Sequence, residues 1–81
     1  MRVRLVAFAT AAEALGASAL AWEAPAGATL GELVAGLAAR YPALAAGLPR
    51  LAFAVDGAIA RPDRALTEGC EVALLPPVSG G

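Results

Sequence analysis

The last six residues of the chain are the ones whose types and order could do chemistry. All are uncharged, and they follow one another as Pro76, Pro77, Val78, Ser79, Gly80 and Gly81. Because proline fixes φ and cannot donate a ladder hydrogen bond, the Pro-Pro step ends the preceding strand and directs the tail outward. Glycine lacks a Cβ, so the Gly-Gly end can enter a channel too narrow for other residues. The carboxyl group of Gly81 is therefore a candidate reactive group, and Gly80 is expected to give it access.

Elsewhere the side chains offer little chemistry. The chain has no histidine and no lysine, so it lacks a side-chain base that titrates near neutral pH and a Schiff-base amine. It has no histidine–cysteine cluster for zinc and no glycine-rich phosphate loop. The single cysteine, Cys70, starts an apolar strand and is interpreted as a small packing residue, not a sulfur-relay thiol. We therefore expect a protein that acts through its end or its surface and is not an enzyme alone.

Length and charge narrow the function further. The 81 residues are enough for one domain. A formal net charge of −1 without a basic run argues against nucleic acid binding. Charged residues interrupt every apolar run before it reaches the roughly 20 residues of a membrane helix, and a lone cysteine cannot form an internal disulfide. These features predict a cytoplasmic protein with no membrane or nucleic acid partner.

One long helix is predicted near the middle of the chain. Thr29 and Glu32 have the spacing of a capping box. Behind them, apolar residues recur at helical spacing: Leu30, Leu33, Val34, Leu37, Ala38 and Tyr41. Pro42 disfavours helical geometry at the residue before it and so ends the helix. Residues 11–15 are predicted as a turn or a helical loop, and a further short turn is expected before Pro49.

Period-two alternation predicts strands on both sides of this helix. The core set of the first strand consists of Val3, Leu5 and Ala7. The other strands are predicted over residues 18–23, 51–55, 58–60 and 70–75. Asp56-Gly57 is a two-residue hairpin signal between the third strand and the fourth.

This order of elements predicts an α+β fold. The first two strands are close enough to form an antiparallel hairpin, and the last strand can pair parallel to the first across the helix. That is the β-grasp, or ubiquitin-like, plan, with a mixed four- to five-stranded sheet wrapped around one main helix. We assign residues 1–75 to the β-grasp domain and residues 76–81 to a protruding tail.

The chain resembles the family of molybdopterin synthase small subunits. The resemblance is most specific over residues 66–81, and it extends to residues 3–9 and to the start of the helix, residues 29–33. It therefore covers nearly the whole chain. One departure is Cys70, where the family usually carries an acidic residue, and this position does not touch the tail.

The resemblance implies a sulfur carrier. An activating enzyme of the ubiquitin-activating type would adenylate the carboxylate of Gly81 with ATP. A sulfur donor, such as a cysteine desulfurase or a rhodanese-like protein, would displace AMP and leave a C-terminal thiocarboxylate. The large synthase subunit, in a heterotetramer, would take the tail and pass the sulfur to a pterin precursor of molybdopterin. No cofactor is expected on the chain itself, since the activating enzyme consumes the ATP.

Three outward apolar residues are candidates for binding this large subunit. Phe8 and Leu75 have the strand parity opposite the core sets of their strands, and Ile59 lies on a short strand. Exposed apolar residues near the tail suit the centre of an interface. The predicted partner-binding residues are Phe8, Ile59, Leu75, Pro76, Pro77, Val78 and Ser79. The alternative is that the three apolar side chains cap the sheet edge or pack under a loop.

Two other functions remain open from the sequence. The chain could carry sulfur to thiamine or to a thiolated tRNA, or be attached to proteins in the manner of ubiquitin. It could also be a non-covalent β-grasp interaction module whose tail is inert. The segment from Pro76 to Gly81 and the length of the chain favour the molybdopterin carrier.

Overall fold

The structure is a computed structural model that describes residues 1–76, and residues 77–81 lie outside the described part of the chain. The elements follow in the order β1 Arg2–Ala7, α1 Ala9–Leu15, β2 Ala19–Glu23, α2 Leu30–Arg40, α3 Pro42–Ala45, a 3₁₀ helix Leu48–Arg50, β3 Ala52–Val55, β4 Ala58–Ile59 and β5 Glu71–Leu75. Within residues 1–76, no helix is long and apolar enough to cross a membrane.

The five strands form one mixed sheet in the order β2-β1-β5-β3-β4. β1 pairs antiparallel with β2 and parallel with β5, while β3 pairs antiparallel with both β5 and β4. The last strand therefore lies in the middle of the sheet beside the first, as the sequence predicts. The predicted α+β class and β-grasp plan are confirmed.

Helix α2 packs its apolar side against one face of this sheet. Leu30, Leu33 and Leu37 are each at most 2% exposed and share one core with Val3 and Leu5 of β1. Burial of such side chains is the main favourable term in folding, roughly 1.5–3 kcal/mol for each one. The predicted core face of the helix and core set of the first strand are both confirmed.

The start of α2 is fixed by side chains and by a distant loop. Thr29 Oγ1 accepts a hydrogen bond from the Glu32 backbone N–H at 3.3 Å, and Glu32 Oε1 accepts one from the Thr29 N–H at 2.8 Å. The predicted capping box is thereby confirmed. The Gly31 N–H donates to the Pro62 carbonyl at 2.8 Å, which ties the loop between β4 and β5 to the first turn of the helix.

The short elements depart from expectation in their bounds. Residues 11–15 belong to the seven-residue helix α1, which ends at Gly16 in the left-handed conformation, with a φ of 77°. The last strand begins at Glu71 instead of Cys70, although the Cys70 carbonyl still accepts a hydrogen bond from the Arg4 N–H at 2.9 Å. Cys70 is 3% exposed within the core, which confirms its interpretation as a packing residue.

Ala9 joins β1 to α1 with a φ of 53°, and a left-handed conformation costs an L-residue roughly 1–2 kcal/mol. Glycine avoids this cost but has a larger unfolded-chain entropy. We therefore expect Ala9→Gly to raise the free energy of unfolding by about 0.5–1 kcal/mol in urea denaturation. The control is Ala35→Gly, on the exposed side of α2, which should lower it by about 1 kcal/mol. Equal destabilisation by the two substitutions would contradict the strain at Ala9.

Candidate functional site

The sheet face opposite α2, here called the outer face, carries an apolar row that crosses all five strands. Pairing of the strands aligns the members of this row, which are Ala19, Val6, Ala73, Ala54 and Ile59. Side chains alternate between the two faces of a strand, so these residues point away from α2 while their neighbours Leu5 and Val72 are buried under the helix. Within the row, Ala54 is covered by its neighbours and is only 6% exposed. Ile59 is 70% exposed, more than any other large apolar side chain in the described residues.

The outer face is also apolar at the end where the tail leaves the sheet. Phe8 continues β1 with extended backbone, and the parallel pairing of Ala7 with Leu74 places it level with Leu75. Phe8 is 46% exposed, Leu75 is half-buried and Pro76 is exposed. The root of the tail is therefore flanked by an exposed aromatic ring.

The opposite end of the outer face is charged. Arg4 Nε lies 3.9 Å from Glu71 Oε2, with 67% and 49% of the two side chains exposed. Arg2 Nε lies 3.2 Å from Glu23 Oε1, and these two side chains are each 70% exposed. Exposed pairs of this kind contribute little to stability, typically below about 1 kcal/mol. The outer face thus changes from charged to apolar in the direction of the tail.

β5 is held on both sides and at its start, so it forms a firm base for the tail. It lies between β1 and β3 in the sheet. Asp56, in the turn between β3 and β4, accepts a hydrogen bond from the Glu71 N–H at its Oδ1, 2.9 Å away, and donates its own N–H to the Glu71 carbonyl at 2.8 Å. Asp56 and Gly57 have φ values of 49° and 85°, the left-handed pair of a type I′ hairpin turn, as predicted.

The described residues offer no other chemistry on this face. Residues 1–76 contain no cluster of histidine, cysteine, aspartate or glutamate that could hold a metal ion. A surface depression of about 370 Å³ lies beside Arg2, Arg4, Ala19 and Ala21, toward the charged end of the outer face. The arrangement is therefore that of an exposed apolar surface beside the point where β5 ends.

Comparison with known proteins agrees with this arrangement. Residues 5–81 match the ThiS family. The chain is 35% identical over 83 residues to the molybdopterin synthase sulfur carrier subunit of Chlamydomonas reinhardtii, with both chains covered completely.

The chain belongs to the ThiS family.

Two solved structures share the fold of this ThiS-family chain. SAMP1 from Haloferax volcanii superposes with a TM-score of 0.88 at 28% identity, with both chains covered completely. A second match is to a chain of the complex of subunits 1 and 2 of molybdopterin-converting factor from Helicobacter pylori. It superposes with a TM-score of 0.74 at 27% identity, again with both chains covered completely. The resemblance to molybdopterin synthase small subunits that the sequence indicated is confirmed.

The structure brings some of the predicted site residues together and leaves others apart. Phe8, Leu75 and Pro76 lie at the same end of the sheet, where β1 and β5 both finish. Ile59 shares the outer face with them but stands on β4, three strands from β1, about 14 Å away at the usual strand spacing. The predictions for Pro77, Val78, Ser79, Gly80 and Gly81 lie outside the described residues. Binding by all of these residues stays a prediction.

Sequence reasoning missed the alanines of the outer face. Ala54 and Ala73 link Val6 to Ile59 across the centre of the sheet, and the pairing of β5 with β3 brings them side by side. Alanine carries little signal in an alanine-rich chain, since it suits strands, helices and loops alike. Val6 and Ala73 share the strand parity of Phe8 and Leu75, so alternation alone could have added these two members.

Asp56 is expected to stabilise the base of the tail through its carboxylate. Asp56→Gly keeps the left-handed backbone but removes the acceptor for the Glu71 N–H, so we expect the free energy of unfolding to fall by about 1–2 kcal/mol. Asp56→Asn keeps an acceptor oxygen and tolerates the same φ, and should stay within about 0.5 kcal/mol of the wild type. Guanidinium unfolding of both variants measures the difference. A loss of the same size in Asp56→Asn would show that the charge, not the hydrogen bond, matters.

Proposed function

We propose that this chain is the sulfur carrier subunit of a molybdopterin synthase. The observation that carries the proposal is its 35% identity, over the full length of both chains, to the sulfur carrier subunit of Chlamydomonas reinhardtii. The H. pylori relative, solved as a complex of subunits 1 and 2, supports a large subunit as the partner. The chain ends in Gly80-Gly81, as the carrier chemistry requires.

The reacting group in this proposal is the carboxylate of Gly81. An ordinary terminal carboxylate, with a pKa of roughly 3.3–3.7, is ionised at neutral pH and resists nucleophiles. The activating enzyme brings its oxygen onto the α-phosphorus of ATP, and pyrophosphate leaves. Sulfide from the sulfur donor then attacks the acyl carbon, and AMP leaves, so that a thiocarboxylate remains. Neither step needs a base on the carrier, which agrees with the missing histidine.

The tail carries this group to the partner's active site. A fully extended segment of six residues spans at most about 20 Å, so the sulfur stays within that distance of the outer face. Tethering turns an encounter between two molecules into a positioned reaction, which lowers the entropic part of the barrier. The hydrogen-bonded position of β5 between β1 and β3 supports this role because it fixes the point from which the tail starts.

The outer face is the proposed docking surface for the large subunit. Phe8 and Leu75 present apolar area near the root of the tail, and Ile59 extends it across the outer face to β4. Apolar anchors of this kind dominate binding energies at protein interfaces. The charged pair of Arg4 and Glu71 lies at the rim, where it contributes more to orientation and association rate than to affinity.

Protein modification is the second candidate function. The superposition with SAMP1 at a TM-score of 0.88 favours it, because a second solved structure that matches the chain, at a TM-score of 0.87, is named small archaeal modifier protein 1 of H. volcanii. In that role the chain would be a donor, since it has no lysine side chain to accept an isopeptide bond. Thiol-resistant adducts with other proteins, formed in the presence of ATP and the activating enzyme, would identify this activity.

Two separate variants, one without Gly81 and one with Phe8→Asp, are expected to distinguish sulfur transfer from binding to the large subunit. Without Gly81 the chain should bind the large subunit within about three-fold of the wild-type Kd but support no molybdopterin formation. Phe8→Asp should weaken binding at least ten-fold, since a charge at an apolar anchor is costly. Calorimetric titration with the large subunit measures the first property, and a reconstituted synthase assay measures the second.

The matched control is Ala35→Asp, which introduces the same charge on the exposed side of α2. It should leave both binding and product formation unchanged. Product formed by the chain without Gly81 would contradict the carrier proposal. Equal binding by Phe8→Asp and the wild type would remove Phe8 from the docking surface.

A further inference from the structure

The two central strands of the outer face are related in an unusual way, because β1 and β5 are parallel and in register. Arg4 lies beside Glu71 and Val6 lies beside Ala73. One step further toward the tail, Phe8 lies level with Leu75. Each level of the face therefore holds a complementary pair: opposite charges at one end and apolar side chains at the other.

This pairing makes the outer face complementary to itself. Consider a two-fold axis that lies above the outer face, parallel to the strands and midway between β1 and β5. Rotation about this axis stacks β1 of a second copy over β5 of the first, with the two strands running in the same direction and their residues at the same level. We propose that two copies of the chain associate through their outer faces about this axis. Arg4 then faces Glu71 of the other copy, and Val6 faces Ala73. The interface is isologous, so every contact occurs twice.

The charges of the free chain fit this arrangement. Within one chain, Arg4 Nε lies 3.9 Å from Glu71 Oε2, and 67% and 49% of the two side chains stay exposed, so each can approach a second opposite charge. In the dimer the two arginines and two glutamates alternate around the axis, and each charge has an opposite neighbour in its own copy and in the other. When two twisted sheets stack face to face, their strands cross at about −30°. The same two-fold symmetry allows this crossing if the axis is tilted from the strand direction by half that angle.

The size of the face sets the strength of this association. The five strands together hold 22 residues, and at roughly 16 Å² for each residue they cover about 350 Å² in each copy. A stable interface usually buries about 800 Å² on each side, so we expect a weak dimer that is in rapid equilibrium with single chains. It hides Phe8 and Leu75, and a partner that uses these residues must displace the second copy. The self-association does not depend on what the tail carries.

Charge reversal tests the proposed register. Sedimentation velocity from about 10 μM to 1 mM, at low salt, should show the wild-type mass rising above one chain of 8.0 kDa. Arg4→Glu or Glu71→Arg alone places like charges opposite each other, and should weaken self-association at least ten-fold. An equimolar mixture of the two variants restores opposite charges at both contacts and should associate at least as tightly as the wild type.

The control is Arg64→Glu, which reverses a charge on the helix side of the sheet, where the Arg64 carbonyl accepts the Leu30 N–H. It should self-associate like the wild type. Circular dichroism of each variant reports that it is folded, and the recovery in the mixture excludes a general loss of structure. A wild-type chain that stays at 8.0 kDa up to 1 mM overturns the proposal. So does a dimer that neither reversal weakens, or a mixture that fails to associate.

Discussion

The parallel pairing of β1 with β5 is the interaction on which the rest of the structure depends. It joins the two ends of the chain, so a long loop must be closed and the entropic cost of that closure must be offset. The offset comes from Leu5 and Val72, which are paired in this ladder and fully buried beneath α2. Because β5 lies next to β1, the tail leaves from the middle of the sheet, with a hydrogen-bonded neighbour on each side.

The two faces of the sheet differ in burial as a result of the same pairing. Alternation sends one set of side chains into the core with α2 and leaves the other set, including Val6 and Ala73, on the outer face. The core therefore lies on one side of the sheet, and the surface to which we assign partner binding lies on the other, where substitutions leave the core packing intact. A single face cannot cover a second copy and a large subunit at once, so the two associations we propose compete for Phe8 and Leu75.

Elements with local signals could be predicted from the sequence, and those that depend on distant partners could not. The capping box at Thr29 and the helical spacing behind it determine α2, and Asp56-Gly57 determines its hairpin. Helix α1 has no side-chain cap and consists mostly of alanine, so the burial of Leu15 fixes it through contacts that no local pattern reveals. The apolar row of the outer face could be assembled only from the register of β5 against β3. The reactive role of Gly81 stays a prediction that rests on residue type and position in the sequence.

The carrier chemistry is tested most directly by the mass of the C-terminal peptide after incubation with ATP, the activating enzyme and sulfide. Cleavage after Glu71 releases residues 72–81, which exclude Met1 and Cys70, whose oxidation would mimic the exchange of oxygen for sulfur. We expect the mass gain of one such exchange, located on Gly81 by fragmentation and absent without ATP. An unmodified peptide, in a reaction where a known carrier is converted by its own activating enzyme, would contradict the assignment of Gly81 as the sulfur-bearing residue.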